Sequence, residues 1–135
     1  MSHPIAVIGA DADEARKLRA RRIRTAEGLL EAAGTAKRRR QLAEGTGIDE
    51  KRLLCLANCA DRMRINGLGK EYARILPVVG VDTVKELKYR NPEKLAKAIA
   101  ELNKKRKLVR FLPPVHLVTR WIEHAKKLPL KITYR

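Results

Sequence analysis

The chain has 135 residues, with 31 Lys and Arg against 15 Asp and Glu, and so carries a formal charge of +16 at pH 7. Hydrophobic residues make up 44% of it but aromatic residues only 4%, which excludes a disordered chain and favours an aliphatic core between packed helices. The excess of positive charge predicts a polyanionic partner, with nucleic acid as the first candidate.

Four helices are predicted in the first half of the chain. Asp11 or Asp13 caps a short helix that runs to about Arg21, and a second helix follows. The second helix is capped by Thr25 and ends near Gly34. The third is the basic segment 35–44, which the glycines of 45–47 terminate. The fourth is a long helix that begins after an Asp49 cap and runs through Met63.

The second half repeats this pattern of caps and breaks. Residues 70–79 are predicted to be helical, with Pro77 bending or ending the helix, and a left-handed Gly80 precedes an N-cap at Thr83. Asn91-Pro92-Glu93 then starts a helix. Pro113-Pro114 interrupts the chain before a last helix over 115–128, and residues 130–135 form a short extended tail.

Two cysteines lie four residues apart on the fourth predicted helix. At this spacing Cys55 and Cys59 are too constrained for an ordinary disulfide, and we expect both to be small buried residues. The three histidines, His3, His116 and His124, have no recognisable ligand spacing, so we expect neither a metal site nor a cofactor. The absence of a signal peptide or membrane-length apolar window predicts a cytoplasmic protein without a transmembrane segment.

A segment of 23 residues occurs twice, as Val7–Leu29 and Ile65–Leu87, at an offset of 58. Because repeats report architecture, we predict an all-α, pseudo-duplicated fold. One compact helical domain would cover residues 1–135 and consist of two related halves, about 1–64 and 65–129, followed by the tail. The aligned identities are Gly9/Gly67, Ala15/Ala73, Arg16/Arg74, Leu18/Leu76, Thr25/Thr83 and Leu29/Leu87.

The second copy opens on the turn Gly67-Leu68-Gly69, followed by Lys70 and a helix. This segment resembles the helix-hairpin-helix motif of DNA repair and replication proteins, with the preceding helix as its first arm. The glycines would let backbone N–H groups approach a phosphate, Leu68 would anchor the turn in the core, and Lys70 would add a cation. Such a turn holds phosphates without reading bases. In the first copy Asp11 replaces the second glycine and would repel phosphate, so we expect that hairpin to be architectural.

A wider resemblance covers nearly the whole chain. Several segments are similar to the bacterial domain of unknown function 4332 family, which implies a bacterial protein with a helical fold related to tandem helix-hairpin-helix domains, but no established activity or catalytic residues. Asp11 and Arg22 depart from this pattern, since they replace expected glycines. The similar segments are Thr25–Leu30, Gln41–Ile48, Asp61–Gly67, Gly80–Leu87, Arg90–Glu93, Trp121–Glu123 and Ala125–Pro129.

Two basic runs extend the candidate nucleic-acid surface. The predicted contact residues comprise the turn, two flanking arginines and both runs: Gly67, Leu68, Gly69, Lys70, Arg64, Arg74, Arg38, Arg39, Arg40, Lys104, Lys105, Arg106 and Lys107. A solvated helix face is the alternative for each run. Residues 41–49 also resemble the start of a helix-turn-helix, which would place Glu50, Lys51 and Arg52 at a major groove.

Catalysis is not predicted. Most carboxylates are scattered and lie in first turns of helices, where capping explains them, and no catalytic triad or metal cluster is present in the sequence. The sequence therefore predicts a non-catalytic protein that binds nucleic acid largely independently of sequence, DNA in preference to RNA. The alternative is a structural or interaction module that docks an acidic partner protein.

Overall fold

A computed structural model of the chain describes residues 3–134, so that Met1, Ser2 and the last residue of the predicted tail, Arg135, lie outside the described part. Within it the chain forms eight α-helices and no β-strand, which confirms the all-α class. The helices are α1 Ala12–Ala20, α2 Ala26–Ala33, α3 Ala36–Thr46, α4 Glu50–Arg62, α5 Gly69–Ile75, α6 Val84–Lys88, α7 Pro92–Arg106 and α8 Val115–Lys127, with 3-10 turns over Ile5–Ile8 and Leu76–Val79.

The helices belong to two compact units. The first unit comprises Met1–Met63 together with Lys131–Arg135, and the second comprises Arg64–Leu130. A single domain built from two related halves stays a prediction.

In the first unit, α2 lies at the centre. It packs against both α3 and α4, while the turn over Ile5–Ile8 contacts α1, α2 and α4. The core is aliphatic, as the composition indicates. Its fully buried side chains include Ile5, Leu18, Leu29 and Leu53.

In the second unit, α8 packs against α6 and α7, and the turn over Leu76–Val79 contacts α5 and α7. Trp121 of α8 is completely buried, and its ring centroid lies 5.2 Å from that of Tyr72 on α5. Burial raises the pKa of the Tyr72 hydroxyl. The rest of this core is aliphatic, with Leu95 and Ile99 of α7 fully buried.

The helix starts are where the caps predict them. Asp11 caps α1 in a capping box, because its Oδ1 accepts from the Glu14 N–H at 2.7 Å and Glu14 Oε1 accepts from the Asp11 N–H at 3.0 Å. Thr25 and Asn91 likewise accept from the first turns of α2 and α7. The choice between Asp11 and Asp13 is therefore settled for Asp11.

One predicted helix is shorter than expected. Residues 70–79 do not continue as one α-helix, since α5 ends at Ile75 and a 3-10 turn follows over Leu76–Val79. Pro77 lies in that turn. Proline lacks an N–H donor and its ring crowds the preceding turn, which explains why the α-helical hydrogen bonds stop here.

Backbone turns recur at the offset of 58 residues. Arg22 and Gly80 both have positive φ, at 65° and 89°, and each follows a helical turn. The next residue closes the turn in the same way, since Ile23 N–H donates to Leu18 O and Val81 N–H donates to Leu76 O, both at 2.9 Å. The two segments thus share a local helix ending, one in each unit.

Candidate functional site

The turn before α5 presents bare backbone. Gly67 and Gly69 have φ of 78° and 71°, in the left-handed region that favours glycine. A Cβ built on either glycine would meet nothing within 4 Å, whereas Leu68 between them is only 1% exposed. The leucine therefore fixes the turn in the core while both glycines face open space.

The first turn of α5 carries a cation and a carboxylate next to each other. Its N-cap is Leu68, which has no side-chain acceptor for the first N–H groups. Lys70 is exposed, as predicted for a phosphate contact. Glu71 is exposed too, and its Oε1 accepts from the Arg110 N–H at 3.1 Å.

A histidine of α8 contacts the turn directly. The Asn66 N–H donates to His124 Nδ1 at 3.1 Å. An accepting Nδ1 carries no hydrogen, so the neutral ring holds its proton on Nε2. The hydrogen bond fixes the position of α8 relative to the turn within the second unit.

An open cavity of about 520 Å³ lies between the turn and α8. Asn66 and Gly67 line one side, and the other side is a face of α8 with residues spaced by three and four positions. Arg120 and Lys127 on that face are exposed. The residues of this face that border the cavity include Arg120, Glu123, His124 and Lys127.

Sequence reasoning missed this α8 face. Its two cations, Arg120 and Lys127, are seven residues apart, a spacing that indicates a shared helix face, but the spacing does not say what lies opposite. Glu123 reduces the local positive charge, although its Oε1 also lies 3.5 Å from Lys126 Nζ. The cavity therefore combines two cations, an imidazole and open backbone with one carboxylate.

The two arginines predicted to flank the turn have different surroundings. Arg64 is half-buried and donates to the carbonyl oxygen of Pro129 at 2.7 Å. Arg74 is exposed on α5. Both belong to the second unit with the turn.

The first basic run needs a correction at Arg39. Its side chain is 4% exposed, and Nη1 donates to the carbonyl oxygens of Ala33 and Gly34, at 3.0 Å each, while Nη2 donates to that of Thr133. Burial lowers the pKa of this guanidinium. Arg39 therefore serves the carbonyl groups at the end of α2 and is not on the surface that a nucleic acid would contact.

Its neighbours in the run remain on the surface. Arg38 and Arg40 are exposed, and Arg38 Nη1 donates to the Glu31 carbonyl oxygen at 2.8 Å. This run lies in the first unit.

The second basic run is fully exposed. Lys104, Lys105 and Arg106 form the last turn of α7, and Lys107 is its left-handed C-cap with φ of 48°. Cations at this end also stabilise the helix through its dipole, which gives the run a structural role as well. Lys104 and Lys105 line a second cavity of about 520 Å³.

The cysteines differ from the prediction. Cys59 is buried, but Cys55, one turn earlier on α4, is exposed. Cys55 and Cys59 are not joined by a disulfide bond. Among residues 3–134 no group of three or more His, Cys, Asp or Glu side chains is arranged to hold a metal ion.

These features describe a basic all-helical protein with an open glycine turn in its second unit. A family model described as a domain of unknown function (DUF4332) matches residues 9–128, and the chain belongs to that family. Comparisons with curated proteins and with solved structures gave no significant match. No helix in the described part of the chain is long and apolar enough to cross a membrane.

Proposed function

We propose that the protein is a non-catalytic nucleic-acid-binding protein of the bacterial cytoplasm, which contacts the phosphate backbone of duplex DNA in preference to RNA. Contact would run through a turn of the helix-hairpin-helix type before α5 and the basic surface of the second unit. The chain would then be pseudo-duplicated, with two related turns of different function. The turn at residues 9–11 would be structural, and the turn at residues 67–69 would bind phosphate.

The open backbone at Gly67 and Gly69 is the observation that supports this proposal most. A phosphate oxygen needs close approach to the backbone, and a Cβ built on either glycine would meet no atom within 4 Å apart from its chain neighbours. The buried Leu68 holds the turn in place, so little ordering would be needed on binding.

The charge of the second unit also supports contact through this surface. The segment Arg64–Leu130 contains sixteen Lys and Arg against six Asp and Glu. Arg120 and Lys127 border the cavity beside Gly67, and their exposure leaves their charges available to phosphates. We therefore add both residues to the predicted contact set and remove Arg39.

A local feature supports a structural role for the first turn. Asp11 lies at the position equivalent to Gly69, but its carboxylate accepts from the Glu14 N–H in the capping box of α1. A carboxylate already occupies the place at which a phosphate would bind.

The test compares two substitutions of Gly69 that differ only in charge. Asp and Asn have nearly the same shape and both tolerate the left-handed backbone, and a Cβ at this position meets no atoms within 4 Å. We expect Gly69→Asp to bind fluorescent duplex DNA about tenfold more weakly than Gly69→Asn, because one negative charge is added beside a phosphate.

A salt series tests the α8 face in the same assay. Replacing Arg120 and Lys127 by Gln should reduce the slope of log affinity against log salt by about two, one for each lost phosphate contact. The matched control removes the same charge from α7, by Lys94→Gln with Lys97→Gln, and should change the slope less. Single-stranded DNA and structured RNA are measured in parallel, and duplex DNA should bind most tightly.

Equal binding by the two Gly69 variants would show that the turn is structural. If the native protein binds none of the three nucleic acids near physiological salt, the proposal fails as a whole. An acidic protein that stays bound after nuclease treatment would then identify the alternative, a docking module.

A further inference from the structure

The loop between α7 and α8 exposes a group of apolar side chains. Phe111 is 72% exposed and Leu112 49%, and their neighbours Leu108 and Val115 are 44% and 42% exposed. Four large apolar side chains within eight residues form a patch of the kind that marks an interaction surface.

This loop is held firmly against its own unit. Val109 is 5% exposed, and its N–H and carbonyl groups both bond to the Asn103 side chain, at 2.9 and 3.1 Å. Tyr72 Oη donates to the Phe111 carbonyl oxygen at 2.8 Å. The backbone is thus fixed while the apolar side chains face solvent, so their exposure does not come from a loose segment.

The patch is surrounded by positive charge in the sequence. Residues 102–114 contain five cations and no carboxylate. The cations are Lys104, Lys105, Arg106, Lys107 and Arg110, all exposed.

We propose that this loop, residues 107–115, binds the surface of an anionic lipid bilayer. Phe111 and Leu112 would enter the boundary between headgroups and acyl chains, and the cations would lie among the phosphates and carboxylates of the headgroups. Each Lys or Arg near such a surface contributes an attraction that salt screens, and the apolar side chains add a contribution that salt does not screen. This proposal does not depend on the glycine turn, although four of its cations, residues 104–107, also belong to the predicted nucleic-acid contact set.

The chemistry of the patch favours a bilayer over a nucleic acid. Base stacking needs an aromatic face, and Phe111 alone offers one. A nucleic-acid backbone would leave Leu108, Leu112 and Val115 in water, whereas a bilayer can bury all four apolar side chains and pair the adjacent cations.

The test measures sedimentation with lipid vesicles. Native protein should bind vesicles of phosphatidylcholine with phosphatidylserine and bind poorly to phosphatidylcholine alone. The double variant Phe111→Ser with Leu112→Ser should bind the anionic vesicles about tenfold more weakly, since two apolar side chains can no longer leave water. Tyr89→Ser is the matched control, because Tyr89 is 76% exposed on the same unit but outside the loop, and it should bind as the native protein does.

A tryptophan at position 111 reports insertion directly. The chain has one native tryptophan, Trp121, which is completely buried. In Phe111→Trp, anionic vesicles should shift the added emission to the blue, and lipids brominated on the acyl chains should quench it. The far-ultraviolet circular dichroism of each variant should match that of the native chain.

Three results would overturn the proposal. The double variant could bind anionic vesicles as tightly as the native chain, which would leave charge alone as the cause. The affinity of the double variant for duplex DNA could fall by the same factor as its affinity for vesicles, which would make the loop part of a nucleic-acid surface. Native protein could instead self-associate through the loop, seen as a concentration-dependent mass that the double variant abolishes.

Discussion

At the scale of single residues, Arg39 shows how a cation in a basic run can be a core residue. The last carbonyl groups of a helix lack partners within the helix, and here the guanidinium supplies donors to those of Ala33 and Gly34. It also joins residue 133, 94 positions along the chain. Its donors are spread over two nitrogens in one plane and reach three acceptors, whereas a lysine would have to reach all three from a single nitrogen.

We expect Arg39→Ala to lower the free energy of unfolding by about 2–3 kcal/mol, because three carbonyl oxygens lose the hydrogen bonds that the guanidinium donates. The adjacent Arg40 is exposed, and Arg40→Ala should change stability by less than about 0.5 kcal/mol. Urea denaturation of the full chain, followed by circular dichroism, measures both. Similar losses from the two variants would show that the contacts of Arg39 do not stabilise the fold.

At the scale of elements, an ion pair connects α1 to α4. Arg52 Nε donates to Glu14 Oε2 at 2.7 Å and Arg52 Nη2 to Glu14 Oε1 at 2.9 Å, while Nη2 also donates to the Gly9 carbonyl oxygen. The hydrogen bonds from Arg52 hold the pKa of the Glu14 carboxyl below its usual range, and the capping bond from Asp11 acts in the same direction. Residues of three segments of the first unit therefore meet at one guanidinium.

This pair predicts a dependence of stability on pH. Because the pKa of Glu14 is lower in the folded than in the unfolded chain, its contribution is present above the unfolded pKa and is lost as pH falls through the folded value. Arg52 is more than a third exposed, so we expect a modest contribution, about 1 kcal/mol at neutral pH. Glu14→Gln should be less stable than the native chain at pH 7, and the difference should vanish in acid. A difference that persists below the titration of Glu14 would assign the effect to packing instead.

The sequence was sufficient wherever a structural signal is local. N-caps such as Asp11 and Thr25 act within one turn, so the starts of the helices could be predicted from neighbouring residues. Pro77 indicated a break for the same reason, although it could not distinguish a bent helix from the 3-10 turn that is present. The left-handed conformation of Gly80 was predictable. Arg22 at the aligned position has a positive φ too, although a residue with a Cβ is less stable in this conformation.

Features that depend on distant residues were not predictable in this way. Burial of Arg39 requires residues 33, 34 and 133 to meet, and nothing within the run Arg38–Arg40 distinguishes its middle member. The cavity beside Gly67 depends on α8, more than fifty residues downstream. Sequence reasoning therefore found the glycine turn but missed the cations of α8 opposite it.

At the scale of the whole molecule, the chain leaves the first unit after Met63 and returns to it at Lys131. The returning segment lies against the end of α2, where the Thr133 N–H donates to the Gly34 carbonyl oxygen at 2.8 Å. A Cβ on Gly34 would lie 2.6 Å from the Lys131 carbonyl oxygen, so only glycine permits this approach. The first unit is thus built from two separate stretches of sequence.

We expect Gly34→Ala to displace the returning segment and to lower the free energy of unfolding by about 1–3 kcal/mol, since the added methyl group meets backbone atoms rather than a flexible side chain. Hydrogen exchange at the Thr133 N–H should become faster in this variant, while exchange in α7 of the second unit should change little. Unaltered exchange at Thr133 would show that the segment accommodates the methyl group in place.

This return also constrains the order of events during protein synthesis. The polypeptide emerges from the ribosome with Gly34 first and Thr133 about a hundred residues later, so the end of α2 has the donors of Arg39 but lacks the Thr133 N–H until the whole of Arg64–Leu130 has been translated. All residues of the second unit are translated before the last residues of the first unit. A nascent chain should therefore protect the inserted unit from proteolysis at a length at which the end of α2 is still cleavable, and slow translation through α8 should prolong that vulnerable stage.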